Sequence, residues 1–138
     1  MSNLANALDA FNSNDPEADL AEVLDTLISE ATGTDFSPQT FEAAFRLFER
    51  HPLCDFGSPG PLVRWLEQAY PQYISALVAS VERRPTEPAV WMVSRILNAQ
   101  IEASTREALV TALRIAAGRT DVEASTNASA NEGLLQHA

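Results

Sequence analysis

Two residues that could carry out nucleophilic chemistry lie three positions apart near the middle of the chain. His51 could act as a base toward the thiol of Cys54, and Asp55 is the acid that follows them directly. A nucleophilic thiol needs a base and a group that orients that base. A lone cysteine between Leu53 and Phe56, however, is typical of a small buried apolar side chain. We therefore predict that the chain is not an enzyme, and we keep a Cys54–His51 enzyme as an alternative.

The patterns that bind metals or phosphates are weak in this sequence. The two histidines, His51 and His137, are far apart, and no HExxH, CxxC or DxDxDG spacing is present. The glycine-containing segment 57–61 leads into a predicted helix, but Pro59 and Pro61 have no backbone N–H to offer a phosphate. We predict no metal and no cofactor, and we interpret segment 57–61 as a rigid corner.

Acidic residues are concentrated in the first third of the chain. The net charge is −10, and nine acidic residues but no lysine or arginine precede residue 43. Such a segment repels nucleic acid, because binding to phosphates requires basic side chains. It attracts a basic protein and speeds the encounter with it, although a solvated surface that only aids solubility is the alternative. The predicted partner-binding residues are Asp15, Glu17, Asp19, Glu22, Asp25, Glu30, Asp55 and Arg64.

Apolar residues recur at helical spacing through most of the chain. Asn14 or Asp15 is expected to cap a first helix that begins at Pro16 and ends before the Thr-Gly-Thr sequence of residues 32–34. Later helix caps are expected at Ser37, Ser58, Thr86 and Ser104. The alternation typical of strands is missing. The predicted fold class is all-α, with about six to seven short antiparallel helices in a compact bundle or a short HEAT-like array of helical hairpins.

The composition changes to small polar residues after residue 119. We predict a single helical domain over residues 1–119 and a weakly ordered tail, or at most a frayed helix, over residues 120–138. No apolar run reaches the ~18 to 20 residues of a membrane span, and the N-terminal residues lack the pattern of a secretory signal. With a single cysteine, these features predict a cytoplasmic protein without a membrane partner. Trp65 and Trp91 are both predicted to lie in the core, and partial exposure of Trp65, which follows Arg64, is the alternative.

Two segments in the middle third of the chain, residues 56–98, resemble a known group of proteins. They are GSPGPLV at residues 57–63 and RPTEPAVWMVSRILN at residues 84–98. The first has a glycine-serine-proline-glycine-proline corner before a helix, and the second has a proline-threonine step into a helix with Trp-Met and Arg-Ile. This pattern resembles small helical bacterial immunity proteins of polymorphic and contact-dependent toxin systems.

The resemblance implies a function in protein binding. A protein of this group would bind one cognate toxin tightly and block its active site or its assembly. Many such toxins are nucleases with basic clefts, so an acidic inhibitor could occupy such a cleft in place of phosphate groups. The expected partner is a cognate protein toxin or another basic protein. A helical adaptor or scaffold protein without a toxin is the alternative function.

Overall fold

The computed structural model describes residues 3–30 and 36–137 and has eight α-helices in these ranges. The helices are α1 (Asn3–Ala10), α2 (Ala21–Glu30), α3 (Pro38–Arg50), α4 (Pro61–Glu67), α5 (Ile74–Arg83), α6 (Glu87–Leu97), α7 (Ala103–Gly118) and α8 (Ala124–His137). No strand occurs in the described part of the chain, so the prediction of an all-helical protein is confirmed. The number of helices exceeds the predicted six to seven because α1 and α8 form near the two ends of the chain, where the apolar pattern of the sequence is weak.

Contacts between Cα atoms divide the chain into two compact units, residues 1–76 and residues 77–138. In unit 1, α1 packs on α3 and α2 packs on α4. In unit 2, α8 packs on both α6 and α7. The predicted boundary at residue 119 does not coincide with the division of these contacts. A single domain over residues 1–119 stays a prediction.

Aromatic side chains fill much of the core of unit 1. Helix α3 begins as predicted, because the hydroxyl of Ser37 accepts a hydrogen bond from the backbone N–H of Thr40. Phe48 on this helix meets Phe56 edge to face at 4.8 Å, a favourable arrangement of two aromatic rings. Burial of each such side chain contributes about 1.5 to 3 kcal/mol, so α3 provides much of the stability of this unit.

Two predicted helix starts in unit 1 are wrong. Helix α2 begins at Ala21, and Pro16 lies in a turn before it. The carboxylate of Asp19, two residues before Ala21, accepts the N–H of that residue over 3.0 Å and so marks the true start. Helix α4 is capped by Gly60, whose φ of 89° is one that side chains other than glycine rarely adopt, and not by Ser58. The predicted end of the first helix at residues 32–34 lies outside the described residues.

The caps of unit 2 follow the prediction only in part. Thr86 caps α6 as predicted, because its hydroxyl accepts the N–H of Ala89. Helix α7 begins at Ala103 with Glu102 in the cap position, so the predicted cap at Ser104 is wrong. The side chain of Glu102 makes no capping hydrogen bond. Two residues after Glu102, Ser104 therefore lies inside the first turn.

The segment predicted as a weakly ordered tail contains helix α8. Its buried residues are small, namely Thr126, Ala130 and Gly133. A Cβ atom at Gly133 would lie 2.6 Å from the Ser94 hydroxyl, so the helix backbone approaches α6 closely there. Because a close approach of backbones needs small residues and not large apolar ones, this helix lacks the apolar periodicity that would have predicted it.

Candidate functional site

The acidic residues of the first third form two groups in the structure. Asp9 and Glu42 both pair with Arg46, at 3.1 Å and 3.7 Å. Their charges are therefore partly neutralised within unit 1. Asp35 lies outside the described residues. The remaining acids of this segment are Asp15, Glu17, Asp19, Glu22, Asp25 and Glu30, all of them exposed.

An isolated parallel β-bridge brings Asp55 next to this segment. The N–H of Leu20 donates to the carbonyl of Asp55 over 2.7 Å, and the N–H of Asp55 donates to the carbonyl of Ala18 over 2.9 Å. Asp19, between these two bonded residues, therefore lies beside Asp55. We call the exposed surface formed by Asp55 and the six acids of residues 15–30 the acidic face.

Three members of the acidic face also have a local structural role. The carboxylates of Asp15, Asp19 and Asp55 each accept a hydrogen bond from the backbone N–H two residues later, at 2.9 to 3.0 Å. Such bonds are typical of aspartate in turns and explain why these positions are aspartate. They do not neutralise the negative charge, but a substitution at these positions would change the turn as well as the charge.

The other members of the acidic face carry charge without such a role. Among residues 3–30 and 36–137, no ion pair engages Glu17, Glu22, Asp25 or Glu30. Val23, between the acids of α2, is 45% exposed and adds an apolar contact area. Arg64 is exposed on α4, which packs against α2, and it forms no ion pair with the acidic face within the described ranges. Asp55 therefore lies beside the acidic segment, whereas Arg64 forms no ion pair with the acidic face among the described residues.

A shallow hollow in unit 1 adjoins the first residues of the acidic face. Pro16 and Asn14 line it on one side, and Arg50, His51 and Leu53 are among the residues that line the rest. Leu53 is 56% exposed and places a large apolar side chain beside these polar residues. Hydrophobic residues surrounded by polar ones are typical of protein interfaces, so the hollow extends the area that a partner could contact.

His51 is a buried residue whose ring nitrogens are both bonded to the backbone. Its Nε2 lies 3.0 Å from the backbone nitrogen of Ser13, and its Nδ1 lies 2.9 Å from the carbonyl oxygen of Leu47. The ring also contacts Phe11, with 5.6 Å between ring centroids. These contacts give His51 a structural role and leave neither nitrogen available as a base for Cys54.

The environment of Cys54 favours the neutral thiol. Its Sγ donates to the carbonyl of Pro16 over 3.3 Å. Burial raises the pKa of the Cys54 thiol above its ordinary value, a hydrogen bond with the backbone of Ala18 opposes this, and the negative charge of Asp15 adds to it. Because the thiolate is the nucleophile, this arrangement gives no support to covalent catalysis.

Trp65 lies in the core as predicted, but the prediction of a core position for Trp91 is wrong. Trp65 is 8% exposed and contacts Phe36 and Phe41, whereas Trp91 is 39% exposed. Glu87 and Arg95 stand four residues before and after Trp91, and residues at this spacing share one face of a helix. That pair of charged residues was the signal in the sequence that could have predicted an exposed Trp91.

Features of metal sites and of membrane spans are missing from the described residues. In the part of the chain that the structure describes, no group of three or more His, Cys, Asp or Glu side chains could hold a metal ion. None of the described helices has both the length and the apolar character needed to cross a membrane. No family model, curated protein or solved structure matches this chain.

Proposed function

We propose that this chain is an immunity protein that binds a basic bacterial toxin through the acidic face. The observation that carries the proposal is the set of exposed carboxylates without ion pairs that the Asp19–Asp55 bridge gathers in unit 1. The resemblance of residues 57–63 and 84–98 to immunity proteins supports the same function. In this proposal the chain acts in the cytoplasm, catalyses no reaction and needs no cofactor.

Electrostatic attraction is the proposed basis of recognition. Opposite charges on two proteins raise their association rate by roughly 10 to 10³ at low ionic strength. A nuclease toxin would present the basic cleft that otherwise holds phosphates, and the carboxylates of the acidic face would occupy it. Val23 and Leu53, both exposed, would provide the apolar contacts that hold the complex after the encounter.

The first experiment is to capture the tagged full chain from its native host and identify the bound proteins. One stoichiometric partner with a basic, toxin-like domain is the expected result, and loss of that toxin's activity on adding the chain would establish neutralisation. Several unrelated partners would favour an adaptor function, and the absence of any partner would make the acidic face a solubility feature.

The second experiment tests the acidic face with the purified partner. The double substitution Glu22→Lys and Asp25→Lys reverses two charges whose side chains make no hydrogen bond or ion pair among the described residues, whereas Asp19 is left unchanged because its carboxylate accepts the N–H of Ala21 at the start of α2. We expect association at low ionic strength to slow by about tenfold and to depend less on salt.

The matched control is Glu82→Lys with Glu107→Lys, which changes the net charge equally at two exposed positions of unit 2. We expect its association rate to stay within about twofold of that of the natural chain, because charges far from the interface contribute little to the association rate. Equal slowing by both double variants would show that net charge, and not the acidic face, determines the encounter.

A further inference from the structure

A groove lies between α6 and α8 in unit 2. Val90 and Ser94 on α6 and Gly133 on α8 are among the residues that line it. A Cβ atom at residue 133 would lie 2.6 Å from the Ser94 hydroxyl and 3.1 Å from the side chain of Leu113. A side chain at this position would have to displace the Ser94 hydroxyl, so the glycine lets the two helices approach closely.

An exposed tryptophan stands at this groove with an arginine beside it. The guanidinium of Arg95 lies 5.3 Å from the ring centroid of Trp91, a distance typical of a cation–π contact. This contact restrains the Trp91 side chain, which nevertheless remains 39% exposed. Tryptophan and arginine are the residues most enriched among those that dominate binding energy at protein interfaces. A restrained, exposed tryptophan costs little further entropy when a partner covers it.

The charges and polar groups of the groove indicate what could bind there. Glu87 and Glu132 contribute two carboxylates against the single guanidinium of Arg95, so the groove has a net negative charge. Asn98 and Gln136 offer side-chain amides, which can donate to and accept from the amide groups of a polypeptide backbone. The lining therefore combines groups that bind a main chain with carboxylates that bind a cation.

The length of the groove limits the size of its occupant. Residues 87–98 rise by about 1.5 Å each along α6, which gives a length of roughly 16 Å. An extended polypeptide advances by about 3.3 Å for each residue. The groove thus matches an extended segment of about five residues.

We propose that the groove between α6 and α8 binds an extended segment of a partner protein that carries a basic side chain. Trp91 provides the apolar contact, Glu87 and Glu132 attract the cation, and the side-chain amides bind the backbone of the segment. This surface is distinct in its residues from the acidic face and does not depend on the proposed immunity function.

The test uses a displayed library of random pentapeptides, selected on the full chain and counter-selected on the Trp91→Ala variant. Peptides retained by the natural chain are expected to be enriched in lysine and arginine and depleted in acidic residues. Their binding should shift the indole N–H resonance of Trp91 in NMR spectra, whereas that of the buried Trp65 should stay in place.

The Trp91→Ala variant must keep its fold for this comparison to hold. An unchanged Trp65 resonance in the Trp91→Ala variant would verify the fold of unit 1, and unchanged amide resonances of α7 would verify the fold of unit 2.

Substitutions of the carboxylates separate this proposal from general attraction to an acidic chain. Glu87→Gln with Glu132→Gln should weaken binding of a selected peptide about fivefold, as expected for two exposed ion pairs. The matched control, Glu82→Gln with Glu107→Gln, should change it by less than about twofold. The Glu22→Lys and Asp25→Lys variant should also retain binding, so that a failure of the acidic face and a failure of the groove are distinguishable.

Three results would overturn the proposal. The first is selection of no peptides beyond those that Trp91→Ala also retains. The second is enrichment of acidic or uncharged peptides. The third is a shift of the Trp91 indole resonance with protein concentration alone, which would identify a second copy of the chain as the occupant.

Discussion

Ser13 donates its backbone N–H to Nε2 of His51, a residue 38 positions later in the chain. Since Nε2 accepts this bond, the ring proton of the neutral histidine must be on Nδ1, which donates to the carbonyl of Leu47. His51 is thus one of several contacts that hold the start of the acidic segment near the end of α3, together with Arg50, which donates to the carbonyl of Phe11, and Cys54, whose Sγ donates to the carbonyl of Pro16. The position of Asp15, two residues after Ser13, depends in part on the His51 contact.

Replacing this histidine should therefore destabilise the protein. We expect His51→Leu to lower the free energy of unfolding by about 1 to 3 kcal/mol, because the Ser13 N–H loses its acceptor in a partly buried site. Urea unfolding measures this change. The matched control is His137→Leu, because the Nε2 atom of His137 is buried without a hydrogen-bond partner in the described structure. That variant should stay within about 0.5 kcal/mol of the natural chain, and equal losses in both would contradict the role given to His51.

The corner before α4 should not tolerate a side chain at Gly60. A Cβ atom there would overlap the carbonyl oxygen of Phe56, and the φ of 89° is unfavourable for alanine. We expect Gly60→Ala to lower the thermal midpoint and to cost about 2 kcal/mol or more. Gly118→Ala is the control, since nothing lies near its Cβ position at the end of α7, and this variant should be neutral or more stable by up to about 1 kcal/mol. A neutral Gly60→Ala variant would contradict this account of the corner.

The pair Arg119–Asp121 should make stability depend on pH at the acidic end of the range. A hydrogen bond from Arg119 lowers the pKa of Asp121 to about 2 in the folded chain, below the ordinary value of about 4. The resulting stabilisation is complete above about pH 4 and is lost as the pH falls toward 2. NMR titration of the Asp121 carboxyl group should show the low midpoint. The difference in stability between the natural chain and Asp121→Asn should shrink over the same interval, and a constant difference would contradict the assignment.

The thiol of Cys54 should react slowly with alkylating reagents in the folded protein. Because burial raises its pKa, the rate with iodoacetamide should rise to its half-maximal value above the ordinary thiol pKa of about 8.5. The same chain in urea is the control and should react with an ordinary midpoint. A folded-state midpoint below that of the unfolded chain would instead reveal an activated thiol and favour the alternative of a Cys54–His51 enzyme.

The predicted helix caps at Ser37 and Thr86 are confirmed, because the hydroxyl of each accepts the N–H three residues later. The same pattern of a capping residue before a proline is misleading at Ser58, because Gly60 takes the cap position of α4. The predicted helix start at Pro16 is wrong. Proline is favoured both at the second position of a β-turn and at the first position of a helix, so the local sequence does not distinguish the two. The hydrogen bond from Leu20 to the distant Asp55 decides between them, and sequence spacing cannot show it.

The candidate site was predictable in its charge but not in its arrangement. The excess of acidic residues is visible in the sequence. The ion pair between Asp9 and Arg46, which partly neutralises one of these acids, joins residues that are 37 positions apart and is not visible there. The approach of Asp55 to Asp19 is equally nonlocal, because one backbone bridge produces it. Trp91 was assigned to the core from its apolar neighbours, although the charged residues four positions away on each side were the better guide.

Helix α8 determines how this chain can safely be shortened for crystallisation or binding work. Trimming a polar C-terminal stretch is a common way to obtain a more compact sample, and the composition after residue 119 invites it. Here the trimmed piece would include the carbonyl of His137 that Arg106 binds and the Asn127 amide that donates to the carbonyls of Ala116 and Arg119 at the end of α7. It would also uncover the apolar side chains of α6 and α7 that α8 covers. A truncated sample would therefore aggregate more readily, and it would also lack the residues of α8 that line the groove, so an absence of partner binding in it would not test either proposed surface.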